Sequence, residues 1–424
     1  MDPTVLRVGL ACLLAVASPG CIQIGELLAP TYDAVVLTQR PDPVYEEFFP
    51  FYAELCAVSQ YRPKNRKMGG IPGHAVMYLK GACVDESASY PQLELCAESL
   101  ADSLDAGHGA GVSVNKWFKN VNWVGIPGKR LFFHGNLKRG QTLTQEHFDA
   151  TAREALPYYR GVEIHETPEN WSVEEFVAED SAGTDFALRF GRSLYCMRLP
   201  VTKPMMKQVI DFLNALNEDY RDGETDYNWH GFHDNCVHTL RNALAAAKVW
   251  KPKAIWAIKL RQFFNVAIPS NEVVNLAELA NDYPLENFPK IYTDDLKRET
   301  LFEQSWLPMT FGAMMKSMPI HLDNELYDTR YRMMVVQSPF FRDVTRKAQR
   351  QLYDARFVEL EPNLRLFRAR YELILANRDD SVGWWSRGDE DYLEARERYY
   401  RYVEVQKAEV DRMLAVLRER APEY

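Results

Sequence analysis

Apolar and polar residues follow two different periods along this chain. Between residues 69 and 136, short runs alternate at a period of two, at 74–79, 111–115 and 120–126, and glycine- and proline-containing turns separate them. Alternation of this kind is typical of half-buried strands. The segment 185–199 predicts one or two further strands. The first half of the chain is therefore expected to contain a sheet.

Segments with helical periodicity lie before and after these runs, and they predominate in the second half of the chain. This periodicity predicts helices over 43–61, 144–155 and 204–220, and another that begins near residue 234. Beyond Trp250 it predicts two or three long helices, because apolar residues recur at helical spacing over 341–355, 364–374 and 399–417.

The expected fold class is thus α+β, with a small antiparallel sheet packed on helices and then a mostly α-helical region of long helices. The predicted divisions are a signal at 1–21, a mixed domain at 40–250 and a helical C-terminal domain at 251–424.

Composition limits the possible functions. The chain has 424 residues, of which 46% are hydrophobic and 26% are charged, as in ordinary globular proteins. Its formal net charge is −9, which argues against nucleic acid as a partner because such binders usually carry a basic excess. No run of about 20 apolar residues, the length needed to span a bilayer as a helix, occurs in the sequence.

The start of the chain predicts export. Residues 8–17 are apolar and follow Arg7, as in a bacterial secretion signal. Two processing routes remain open. Cleavage after Ala17 fits the small residues of 15–17, whereas Gly20-Cys21 resembles a lipoprotein box in which Cys21 becomes the lipidated first residue. In the second case, the lipid on Cys21 anchors the protein in the periplasm or at the outer membrane.

Five cysteines remain after the signal, and in an oxidising compartment they can pair. Cys83 and Cys96 flank a polar loop and form the first expected disulfide. Cys56 and Cys196 are a weaker second pair. This assignment leaves Cys236 free.

Cys236 carries the sharpest chemical signal. It follows Asp234, a good N-cap residue, and precedes an apolar stripe that includes Leu240 and Leu244. The sequence therefore predicts Cys236 in the first turn of a helix docked on a core. The positive end of a helix dipole lowers the pKa of a thiol and favours the nucleophilic thiolate.

A cysteine nucleophile needs a base, and His74 is the expected one. It opens the predicted strand 74–79, which would hold its imidazole rigidly. His238 is excluded because two helical residues turn it about 200° away from Cys236.

Together these two motifs, GHAVMYL and DNCVHTLRNAL, resemble circularly permuted papain-like (NlpC-type) cysteine hydrolases, in which the His strand precedes the Cys helix. They are also similar to the periplasmic domains of bacterial lipoprotein transacylases. The resemblance covers about 65–250 and implies a permuted papain-like fold.

The resemblance also implies a third residue, which accepts a hydrogen bond from the imidazole and fixes its tautomer. Asn115 is the preferred candidate, and Asn120 and Asn122 are alternatives. The implied chemistry is attack of Cys236 on an amide or ester carbonyl through a thioester, with an envelope peptide or lipid as the substrate. No cofactor is expected.

Two other readings stay open. His230, His233, Cys236 and His238 form a dense set of nitrogen and sulfur donors for zinc. Alternatively, the chain is an inactive papain-like envelope scaffold whose C-terminal helices bind a protein partner.

Overall fold

A six-stranded antiparallel sheet organises the fold. The structure is a computed structural model that describes residues 23–26, 43–58, 73–97, 109–128, 141–185, 194–230, 234–252, 268–318, 323–326, 334–337, 344–378 and 390–420. The strands in chain order are β1 Gln23–Glu26, β2 Tyr52–Val58, β3 His74–Lys80, β4 Ala82–Val84, β5 Leu93–Leu95, β6 Gly109–Ser113, β7 Val124–Pro127, β8 Leu194–Pro200, β9 Met314–Met318 and β10 Met334–Gln337. The large sheet has the order β7-β6-β3-β2-β8-β9, and β1-β10 and β4-β5 form two small antiparallel pairs.

Helices supply the rest of the regular structure. In chain order they are α1 Pro43–Phe48, α2 Gln145–Arg153, α3 Val173–Phe176, α4 Gly183–Asp185, α5 Lys203–Arg221, α6 Cys236–Ala246, α7 Pro269–Asn281, α8 Phe288–Tyr292, α9 Asp295–Gln304, α10 Val344–Tyr353, α11 Ala355–Val358, α12 Leu360–Ala376 and α13 Glu390–Arg420. A 3-10 helix covers Leu156–Tyr159, and a π-helix, Val177–Ala182, joins α3 to α4.

The central strands are buried on both faces. Met77 and Leu79 of β3 belong to one core with Leu240 and Leu244 of α6, and all four side chains are fully buried. Successive strand residues point to opposite faces, so the register of β3 decides which residues can face this core. α6 packs directly against β3, and this packing brings Cys236 to the sheet.

The C-terminal region is mostly helical and ends in the long helix α13, as the periodicity predicts. Its core contains Phe367 and Tyr371 from α12 and Tyr399 from α13. Tyr52 and Tyr78, from β2 and β3, join the same core. The region also contributes β9, which pairs with β8 at the edge of the large sheet. The two parts of the chain therefore share a sheet, and the division at residue 250 stays a prediction.

The α+β class with a small antiparallel sheet is confirmed, but the helix predicted over 43–61 is wrong. The helix α1 ends at Phe48, and the strand β2 covers most of the remainder. Pro50 explains the difference, because a proline disfavours the helical conformation of the residue before it. Likewise, the strand predicted over 185–199 is observed only as β8, and Asp185 belongs to the helix α4.

Two disulfides are present. Cys83 pairs with Cys96, and Cys56 pairs with Cys196 directly across the β2–β8 ladder. Cys236 is the free cysteine of the described residues. Disulfides persist in oxidising compartments, so the protein is extracytoplasmic. None of the helices in the described ranges is long and apolar enough to cross a membrane.

Removal of the Cys56–Cys196 disulfide is expected to destabilise the fold strongly. The bridge joins residues 140 positions apart, whereas the Cys83–Cys96 bridge joins residues 13 apart. A longer closed loop restricts the unfolded chain more, which gives about 5 kcal/mol for the first bridge and about 3 kcal/mol for the second. Urea unfolding of the two double Cys→Ala variants measures both losses. An equal or larger loss for the Cys83–Cys96 pair would contradict this account.

Candidate active site

Cys236 is the first residue of α6, and Asn235 caps that helix. The Asn235 side-chain oxygen accepts the backbone N–H groups of Val237 and His238, at 2.9 and 3.3 Å. It also lies 2.9 Å from His238 Nδ1. The sequence-based choice of Asp234 as the cap is therefore wrong by one residue. Because Asn235 caps the helix, the Cys236 side chain lies at the N-terminal end of α6, beside the N–H groups of its first turn.

The Cys236 sulfur lies against the beginning of β3. The backbone N–H of Ala75, the residue directly after His74, donates to Sγ at 3.4 Å. This N–H is available because the β3–β6 pairing starts at Val76. The structure thus brings the nucleophile candidate to the strand end that carries the base candidate.

Burial dominates the chemistry of this thiol. Cys236 is only 6% exposed. Burial raises its pKa to about 12, the negative charge of Asp185 adds to the rise, and the N–H groups of Ala75, Val237 and Cys236 itself oppose it. The expectation that the helix start gives a low thiol pKa is therefore wrong, because desolvation outweighs the helix dipole. Burial therefore favours the neutral thiol of Cys236 over the thiolate.

His74 is the first residue of β3, and its Nε2 atom faces two polar groups. Ser113 Oγ lies at 2.7 Å, and Asp185 Oδ1 lies at 3.9 Å. Ser113 ends β6 and pairs with Val76, two residues after His74, so both side chains stand on the same face of the sheet. Nδ1 is the other ring nitrogen.

Asp185 is a buried carboxylate, 5% exposed, and several donors hold it. The Asn115 amide nitrogen lies 2.9 and 2.8 Å from its two oxygens, and Ser181 Oγ donates to Oδ2 at 3.1 Å. Ser181 in turn contacts the hydroxyl of Tyr159 at 3.0 Å. A charge buried in this way persists only when it is hydrogen-bonded or paired.

Asn115 has a different role from the expected one. Its amide oxygen accepts the backbone N–H of Trp117 at 2.9 Å, and its NH₂ group donates to Asp185 and to the carbonyl of Asp180. It therefore holds the carboxylate in place, and the ring nitrogen of His74 faces Ser113 and Asp185 instead.

The two alternative candidates, Asn120 and Asn122, make structural hydrogen bonds. Asn120 binds the loop at Gly161 through its NH₂ group at 2.9 Å. Asn122 accepts the hydroxyl of Thr239 at 2.9 Å and thereby ties α6 to the loop before β7. Both side chains have structural partners in the described part of the chain.

A π-helical segment positions the acid. Val177–Ala182 carries Ser181 and the Asp180 carbonyl, and Asp185 follows within one turn. Gly183 allows this segment to approach α2 closely, because a Cβ atom at residue 183 would clash with the ring of Phe148. π-Helical turns are rare and occur frequently at functional sites.

The described residues do not support the zinc hypothesis. Of the groups of three or more potential ligands among them, the one that converges is Glu54, Cys56 and Cys196, and its two cysteines form a disulfide. His230 is tied to Asp234 by two backbone hydrogen bonds, at 2.7 and 3.0 Å. His233 and the lipidation candidate Cys21 lie outside the described residues.

Sequence reasoning missed two polar residues of the site. Ser113 could have been found, because it lies two residues before Asn115 on an alternating strand and so shares its face. Asp185 had no local signal, since its approach to His74 depends on the path of residues 141–185.

Comparisons of the chain with protein-family models, with curated proteins and with solved structures found no match.

Asp234, two residues before the start of α6, gives a testable effect of pH on the stability of the fold. Burial raises the pKa of Asp234 to about 6, above the value of about 3.9 in an unfolded chain. A raised carboxyl pKa contributes stability below the unfolded value, and this contribution is lost as the pH rises through 6. Asp234→Asn is therefore expected to be more stable than the wild type at pH 8, with little gain at pH 4. The gain is about 1 kcal/mol, less than the full value of a two-unit shift, because the carboxyl group is only partly buried and solvent screens its charge.

Denaturant unfolding at both pH values measures this difference. The exposed Asp226 of the same loop provides the matched control Asp226→Asn, for which no pH-dependent gain is expected. Equal stability of Asp234→Asn and the wild type at pH 8 would show that the Asp234 carboxylate is not penalised by burial.

Proposed function

We propose that the protein is an exported thiol hydrolase or acyltransferase in which Cys236 is the nucleophile and His74 is the base. The single observation that carries the proposal is the hydrogen bond from Ala75 N–H to Cys236 Sγ, which joins the start of α6 to the residue after His74. A helix start docked on a histidine-bearing strand is the arrangement of permuted papain-like cysteine hydrolases, and we assign the fold to that class as part of the proposal.

The proposed reaction uses the ring nitrogen of His74 that does not contact Ser113 or Asp185. Nε2 of His74 contacts Ser113 and Asp185, so Nδ1 takes the proton of the Cys236 thiol. The sulfur electron pair then forms a bond to the carbonyl carbon, and the carbonyl π electrons move to its oxygen. When that intermediate collapses, the bond to the leaving group breaks, and the His74 proton passes to the departing nitrogen or oxygen. Water or another acceptor resolves the thioester with the same base.

The helix start also offers electrostatic stabilisation. The backbone N–H of Cys236 belongs to the first turn of α6, where N–H groups have no partner inside the helix. A developing oxyanion beside Cys236 would accept a hydrogen bond from this group in a nearly water-free site. This interaction strengthens as negative charge develops, so it favours the intermediate over the bound substrate.

We propose the cell envelope as the site of action and an envelope peptide or lipid as the substrate. Support comes from the two disulfides, which are typical of oxidising compartments, and from the export signal that the sequence predicts. Lipidation at Cys21 would anchor the protein in the periplasm or at the outer membrane. Neither a nucleic-acid partner nor a cofactor is part of the proposal.

An inactive envelope scaffold is the second candidate. The observation that favours it is the burial of Cys236, whose neutral thiol is shielded from solvent. In this alternative, the C-terminal helices bind a partner. α12 and α13 each expose an apolar side chain, Leu373 and Val405, that such a partner could contact.

An ester probe separates the two candidates. p-Nitrophenyl acetate is expected to acetylate Cys236 and release p-nitrophenol in a burst that is stoichiometric with the enzyme. Cys236→Ser should abolish the burst, and His74→Gln should reduce its rate by about 100-fold or more, because the general base is lost. The matched control is His147→Gln on α2, which should behave like the wild type.

Peptide mass spectrometry identifies the acetylated residue. Failure of the wild type to acylate at Cys236 with aryl esters, thioesters and activated amides would favour the scaffold. Equal bursts in the wild type and His74→Gln would refute the role assigned to His74.

The anchor has a separate test. If Cys21 is lipidated, the wild type fractionates with membranes and Cys21→Ala does not, because a diacylated N-terminus buries many methylene groups in the bilayer. Mass spectrometry of the mature N-terminus checks the cause directly. A wild-type chain that begins at Ser18 would instead establish cleavage after Ala17.

A further inference from the structure

We infer that Asp185 acts through His74 in the Cys236–His74 pair, because its carboxylate stabilises the positive charge that the imidazole acquires when it takes the thiol proton. This inference rests on the proposed function and deepens it. It assigns a carboxylate, held by Asn115 and Ser181, to the role that the sequence assigned to the Asn115 amide.

The contacts around Asp185 fix the position of its charge. Asp185 Oδ1 lies 3.9 Å from His74 Nε2, the Asn115 NH₂ group donates to both carboxylate oxygens, and the Ser181 hydroxyl donates to Oδ2. Ser113 Oγ, at 2.7 Å from the same nitrogen, fixes the plane of the ring but carries no charge. Orientation therefore comes from Ser113, and electrostatic stabilisation comes from Asp185.

The same charge acts in opposite ways on the two partners. Asp185 disfavours a thiolate on Cys236 and contributes to the raised pKa of that thiol. It favours a positive imidazole at His74, because opposite charges at about 4 Å in a buried site attract strongly. The favourable state is thus a protonated His74 beside a sulfur already bonded to carbon. The thiol proton moves to Nδ1 while the sulfur attacks, and no resting thiolate–imidazolium pair is required.

Several titratable groups lie near His74 and must be considered in any pH profile. The Cys236 sulfur accepts the N–H of Ala75, the next residue, and Asp185 faces His74 from α4. Tyr159 stands behind Ser181, and burial together with the charge of Asp185 raises the pKa of its hydroxyl well above the usual value. Tyr227 and Asp234 approach from the segment before α6. On the β2 side, His74 pairs with the apolar Val58. Asp234 titrates near pH 6, so the profile is measured in the Asp234→Asn background.

The test is the pH dependence of the acylation burst with p-nitrophenyl acetate. Asp185→Asn keeps the shape of the side chain and removes its charge. It is expected to slow acylation at pH 8 by about tenfold or more and to move the midpoint of the acid limb down by about one pH unit. Asp185→Glu keeps the charge and should keep the midpoint. The control Asp211→Asn removes an exposed carboxylate on α5 and should change neither quantity.

A merely structural role for Asp185 predicts a different result. Acylation would slow in Asp185→Asn, but the midpoint of the acid limb would not move, and this outcome would overturn the inference. The proposed function fails separately, since it requires a wild-type burst that Cys236→Ser abolishes. Without that burst, the inference falls together with the function.

A second measurement does not depend on turnover. In Cys236→Ser, the imidazole of His74 is titrated by NMR with and without Asp185→Asn, and the same downward shift is expected. If Asp185→Asn does not fold, Cys236→Ser alone decides the question. A His74 midpoint above about 6.5, the value of an unperturbed imidazole, supports the inference. A midpoint below it overturns the inference.

Discussion

The proposed active site depends on one contact, the packing of the first turn of α6 against the first residues of β3. Within this contact, the backbone N–H of Ala75 donates a hydrogen bond to Cys236 Sγ. Interactions on both sides make this contact rigid. Asn235 caps the helix, Thr239 ties it to Asn122, and β3 lies between β2 and β6 in the interior of the sheet. A reactive group gains most when it is held in place before the substrate arrives.

Of the buried charges at the sheet, those at two places have different consequences. Arg198 and Glu54 form a buried ion pair at 2.9 Å, and the Arg198 guanidinium stacks on the rings of Tyr45 and Tyr52. Both charges are satisfied there, which is typical of a structural pair. At the other place, the Asp185 carboxylate stands 3.9 Å from a histidine that can gain and lose a proton. The second arrangement is suited to chemistry because its charge balance changes during a proton transfer.

Local patterns predicted the elements well and the long-range contacts less well. Cys236 and His74 were identifiable because each lies within a strongly periodic element, and the spacing of Cys83 and Cys96 around a polar loop indicated their disulfide. Asp185 was missed because a π-helical segment brings it to the sheet, and no periodic signal marks such a segment. The prediction of a low pKa for the Cys236 thiol was wrong for a related reason. Sequence shows a helix start, but it does not show how deeply that start is buried.

The most direct test of the Cys236–His74 pair is a crystal structure of the acyl-enzyme, obtained by diffusing an aryl ester into crystals at low pH, where deacylation is slow. Electron density is expected to be continuous from Cys236 Sγ into the acyl group, with the His74 ring within about 4 Å of that sulfur. An unmodified sulfur, or an acylated one with the imidazole directed away from it, would contradict the account.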